Sequence, residues 1–215
     1  RYTDARADGA IAAHERFAAH AVLARLPPWF YLAWSCVCLI PLRRRPKQGR
    51  TAATTPPRPI CVGEADLRAI TAEVTAMGEA TYRDHLLPQQ LAVGVPDAGG
   101  RMVHAARIST SGWPRRVLLL LDATDAYQHV RRVVVLERMA AVPGLEVQTR
   151  FWHARSACMP HQFVGADQRR LFAGVDGRAG DSEEGVPQGP GDSPGAYAVA
   201  TLPELRAFDG ELAGD

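Results

Sequence analysis

Asp122 directly follows five consecutive aliphatic residues, Val117, Leu118, Leu119, Leu120 and Leu121. Five are too few for an isolated helix and fit a strand buried on both faces. The carboxylate then stands at the strand's end, at the lip of a sheet, where a hard oxygen ligand suits magnesium. Two other groups of residues carry weaker chemistry. His153, Cys158 and His161 are three metal-ligand types without the paired spacing of a structural zinc site. Gly191-Asp192-Ser193-Pro194-Gly195 matches the Gly-x-Ser-x-Gly nucleophile elbow. No apolar strand delivers Ser193, however, and Pro194 lacks the N–H that an oxyanion hole needs, so a serine hydrolase using Ser193 is a remote alternative.

The elements that must position these residues can be read from periodicity. After Asp122, Thr124 or Asp125 can cap a helix carrying Val130, Val133, Val134 and Met139, which halts at Pro143-Gly144. Residues 4–26 read as an amphipathic helix with Ile11, Phe17, Val22 and Leu23 on its apolar positions, ended by Pro27-Pro28. Residues 29–42 are expected in the core, with a strand over 37–42, and a second short strand follows at 58–63. Between them lies a basic run containing Arg43, Arg44, Arg45, Lys47 and Arg50, then a Thr/Pro-rich stretch. A solvated loop, a nuclear import signal and a phosphate-gripping tip are the three readings of that run. A helix over 64–77 places Leu67, Ile70, Val74 and Met77 on one stripe. Residues 145–152 form a strand or short helix, 164–175 suggest a hairpin, and a helix over 196–208 is interrupted by Pro203.

Composition bounds the function without naming it. The 215 residues, 47% hydrophobic, suffice for one domain or two small ones. A net charge of +2 makes the chain no global polycation. Lys47 is the only lysine, a bias that coding composition explains more cheaply than phosphate recognition. Cys36, Cys38, Cys61 and Cys158 show no disulfide framework, and no secretory signal precedes them, so an intracellular compartment is expected, with the nucleus favoured. The apolar stretch over 27–42 is shorter than the roughly 20 residues of a membrane span, and no membrane association is expected.

Asp122-x-x-x-Ala126-Tyr127, ending an apolar strand and followed by Val130 and Arg131-Arg132, resembles the first catalytic motif of reverse transcriptases, most closely those of non-LTR retrotransposons. Two further matches keep the family's order: the Arg58-Pro59-Ile60 strand of the fingers and the Gln90, Val93 and Gly94 segment at the fingers–palm junction, which in the family leads into a helix that residues 102–108 would supply here. Gly185-Val186-Pro187-Gln188-Gly189 is similar to the second palm motif and is the strongest single match, although Pro190-Gly191-Asp192 departs from the family's continuation.

The resemblance implies an α+β fold of reverse-transcriptase-like fingers and a partial palm, in three regions. These are an N-terminal helical region over 1–36, a fingers-like region over 37–112 and a partial palm over 113–215. It implies RNA-templated DNA synthesis by two-metal nucleotidyl transfer, with RNA template, DNA primer and dNTP as partners. Asp122 and the Ala123 carbonyl would hold Mg2+, and Arg58 would contact the triphosphate, with a companion among Arg43, Arg44, Arg45 and Lys47. Tyr127 would lie under the deoxyribose, or simply pack in the core, and Gln188 and Gly189 would approach template and nucleotide. The family's Tyr/Phe-x-Asp-Asp hairpin does not occur within the sequence, so this stretch by itself is expected to be inactive. A non-enzymatic nucleic-acid-binding remnant of a retroelement is the alternative.

Overall fold

The computed structural model describes residues 5–42, 58–111, 118, 123, 126–157, 161–164, 180–181 and 184–213. The basic run over 43–50, the junction at 119–122 with Asp122 itself, and most of the expected hairpin over 164–175 lie outside them. Leu118 is the one described member of the aliphatic run. It is 53% exposed and not in a strand, contrary to the expected burial.

Helices dominate. Helix α1, Ala5–Val22, is rich in alanine and turns Phe17, Ala18, Ala21 and Val22 toward a shared core, while Ile11 faces solvent. It stops before the two prolines, and Ala24 takes a left-handed conformation at the reversal. Pro27 and Pro28 begin the next helix rather than ending the last: Pro27 is the N-cap of α2, Pro28–Trp34, and Pro28 its first residue. Proline suits that position because its missing N–H would have had no helical partner. Tyr31 donates its hydroxyl proton to the Ala21 carbonyl at 2.8 Å and so ties α2 back onto α1.

Strand β1, Val37–Leu42, pairs antiparallel with β2, Arg58–Val62, from Cys38 opposite Val62 to Leu42 opposite Arg58. On its other side β1 runs parallel to β3, His161–Val164, which pairs antiparallel with β4, Gly180–Asp181. The sheet order is β2-β1-β3-β4, so β2 is an edge strand.

Gly78 separates α3, Ala65–Met77, from α4, Glu79–Leu86. A Cβ at Gly78 would lie 2.6 Å from the Gln148 side chain, which enters this corner to donate to the Val74 carbonyl at 2.9 Å. The α3 stripe is Leu67, Ile70, Thr71 and Val74, and Met77 is exposed beyond the corner. Helix α5, Ala98–Thr110, covers the expected 102–108 but buries none of its residues. The helix expected after Asp122 breaks at Val130-Arg131 into α6, Ala126–His129, and α7, Arg132–Ala140. Helix α8, Glu146–Ser156, resolves the strand-or-helix alternative over 145–152.

Helix α9, Ser193–Ala213, runs through Pro203 without interruption. Arg138 of α7 lies against the turns on either side of Pro203. Its guanidinium donates to the Ala200 carbonyl and pairs with Glu204 at 2.6 and 2.7 Å, bracing the turns beside the proline.

Two cores result. One gathers Phe17, Tyr31, Trp34, Leu67, Ile70, Val74 and Phe151, with edge-to-face ring contacts such as Trp34 on Phe151 at 6.3 Å. The other packs Tyr82, Leu86, Met139, Leu145, Trp152, Val186, Val199 and Leu202. Trp152 is 1% exposed. Trp152→Ala is therefore expected to cost about 3–5 kcal/mol, read from a urea melt. Among the described residues no helix is long and apolar enough to cross a membrane.

Candidate nucleotide and nucleic-acid site

The Gly185–Gly189 stretch is a loop wedged between two segments distant in sequence. At its start the Val186 amide donates to the Tyr127 carbonyl at 2.7 Å. Near its end the Cys61 amide of β2 donates to the Gln188 carbonyl at 2.6 Å, so the loop covers the free edge of that strand. Gln188 also reaches the Gln128 side chain at 3.4 Å. Three of the sequence matches therefore meet: the residues after Asp122, the strand that begins with Arg58, and the second-motif loop.

Both flanking glycines are required by that approach. Gly185 has φ +84°, and a Cβ there would lie 2.8 Å from the Gln128 carbonyl oxygen. Gly189 has φ +145°, and a Cβ there would collide with the Cys61 carbonyl oxygen.

Two buried arginines hold the ends of the loop. Arg132, the first residue of α7, donates from Nε to the Gly185 carbonyl at 3.0 Å and from its terminal nitrogens to the Glu184 and Ser156 carbonyls at 3.4 and 3.5 Å. Burial pulls its pKa down, with the nearby Glu184 carboxylate opposing. Arg155 of α8 pairs with Asp192 at 2.7 Å, both side chains being more than nine-tenths buried. Asp192 thus serves as the counter-charge of Arg155. Burial, and secondarily this carboxylate, push the Tyr82 hydroxyl pKa up.

Tyr127 is half-buried and stacks on Tyr197 of α9, with ring centroids 4.6 Å apart and planes 16° from parallel. Burial raises its pKa, and Tyr197 adds to the rise. Behind the loop a cavity of about 190 Å³ is lined by Ile60, Cys61, Leu67, Thr71 and Pro190. Burial drives the Cys61 thiol up to about 11, the Gln188 backbone hydrogen bond only partly offsetting it. At pH 8 less than about one molecule in a hundred carries the thiolate, so Cys61 is expected to resist iodoacetamide until the chain is unfolded in urea; mass spectrometry of the labelled peptide checks this.

The remaining expected site residues divide into three sets. Arg58 lies on β2, three residues from Cys61, and Ala123 is exposed. Asp122, Arg43, Arg44, Arg45, Lys47 and Arg50 fall outside the described residues. Ser193 is 2% exposed at the start of α9, and its Oγ has no hydrogen-bond partner among the described residues, so no substrate carbonyl can reach it as a hydrolase would need. Among the described residues no group of three or more His, Cys, Asp or Glu side chains could hold a metal ion.

Sequence reasoning missed Arg155 and Tyr197 and gave Arg132 no role of its own. A signal existed for Arg155: it falls three and four residues after Trp152 and Phe151, on the face of α8 that those rings bury. Comparison of the chain with protein-family models, with curated proteins and with solved structures finds no match.

Proposed function

We propose that this chain carries the fingers and the first part of the palm of a reverse-transcriptase-like polypeptide, and that the Gly185–Gly189 loop faces nucleic acid and nucleotide. One observation carries the proposal. Matches that resemble three separate motifs of one family, spread over some 130 residues, are joined by two short backbone hydrogen bonds, Val186 to Tyr127 and Cys61 to Gln188.

The described residues offer no metal-binding set, so magnesium belongs to this proposal only through Asp122 and the Ala123 carbonyl. Bound there, one ion would neutralise the triphosphate, while the second ion of two-metal transfer, which activates the primer hydroxyl, needs carboxylates beyond Asp122. The basic residues over 43–50 would supply phosphate contacts that weaken as salt is raised.

The test is binding of a fluorescent DNA primer annealed to an RNA template. The expected result is an affinity that falls steeply between about 50 and 200 mM salt, and that tightens when dNTP matching the next template base is added with magnesium. Salt-dependent binding indifferent to dNTP would leave a non-enzymatic nucleic-acid binder. Absence of binding at low salt would reject both.

A further inference from the structure

We propose that the buried Arg155–Asp192 pair is a positioning device for the Gly185–Gly189 loop and does not hold the fold together. The inference goes beyond the functional reading and does not depend on it.

The pair is a poor stability element. Its 2.7 Å contact links side chains only 6% and 7% exposed, and taking two charges out of water costs as much as their attraction returns unless every remaining polar atom is also satisfied. Here they are not. Among the described residues Arg155 Nε, Asp192 Oδ1 and the adjacent Ser193 Oγ have no hydrogen-bond partner. A half-satisfied polar cluster in a core is worse than well-packed apolar side chains of the same volume.

What the pair does supply is direction. Asp192 closes the segment that begins at Gly185, and its carbonyl accepts the Ala196 amide at 3.1 Å in the first turn of α9. Arg155 fixes that end to α8, and Phe151, one turn earlier, lies 5.3 Å beneath its guanidinium and is itself buried. Arg132 fixes the other end at Gly185. With both ends set, the loop meets Tyr127 and the edge of β2 in a single register. Without the charged end, apolar packing alone would let the loop slide, because glycines at 185, 189 and 191 permit many backbone paths.

The test compares Arg155→Met, Asp192→Leu and the double variant, reading melting temperature together with amide hydrogen exchange at Val186 and Cys61, with the Ser35 amide at the C-cap of α2 as a control. Each single variant strands a buried charge and is expected to melt about 8 °C or more below the parent. The double variant is expected to melt within about 3 °C of the parent while the Val186 and Cys61 amides exchange at least about tenfold faster and Ser35 is unchanged. A double variant that melts as low as the singles would make the pair a stability element. One whose loop amides exchange as slowly as the parent's would make it irrelevant to the loop. Either result overturns the proposal.

Discussion

Gly189→Ala is expected to destabilise the chain by about 3 kcal/mol or more, lowering its melting temperature by about 10 °C. Two costs combine. The backbone at φ +145° is open to glycine and strained for any residue with a Cβ, and the added methyl would occupy the place of the Cys61 carbonyl oxygen. Relief requires the loop to leave the edge of β2, which breaks the 2.6 Å Cys61–Gln188 hydrogen bond and uncovers the strand. Two controls separate this from a general intolerance of glycine replacement. At Gly191 a Cβ would meet Ala72 at 3.6 Å, an ordinary contact, so Gly191→Ala is expected to change stability by less than about 0.5 kcal/mol. Gly9, within α1, has nothing within 4 Å, and Gly9→Ala is expected to stabilise by about 0.5–1 kcal/mol. Differential scanning fluorimetry of the three variants gives the comparison.

Arg132→Met is expected to cost about 3 kcal/mol, read as a lower urea midpoint at unchanged slope. Methionine fills much of the same space but leaves the carbonyls of Gly185, Glu184 and Ser156 without the guanidinium that serves them. Arg132→Lys should recover little of the loss. A lysine is a single point donor and cannot serve three acceptors that diverge around a planar fork.

These two substitutions mark where the sequence was legible and where it was not. Local signals carried far: strand β1 falls on Val37–Leu42, where the apolar stretch led to it, β2 begins at Arg58, and α3 buries Leu67, Ile70 and Val74. Each is decided by neighbours within a few residues. The failures involve partners far along the chain. Pro203 reads as a helix breaker because a proline removes one helical hydrogen bond, while the core that α9 packs into, with Val199 and Leu202, is built from residues far along the chain. Pro27-Pro28 reads as a stop because the same residue type can equally start a helix, and the choice depends on where α2 packs. Asp192 reads as a blemish in a motif until Arg155, 37 residues earlier, is seen beside it.

The loop itself was legible as a glycine-rich stretch, since only such a sequence allows close backbone approach. Which backbones it approaches was not, because two single hydrogen bonds leave no periodic trace in the sequence. Tyr127 illustrates the same limit. Nothing beside it in the sequence reveals Tyr197, 70 residues away and stacked on it at 4.6 Å.

The most direct test of the proposed site is a hydrogen-exchange footprint of an RNA–DNA primer–template on this chain, recorded with magnesium and the matching dNTP. Slowed exchange concentrated at residues 58–62, 127–128 and 185–189 is the predicted result. Binding that leaves those three segments unchanged and protects another surface would contradict it.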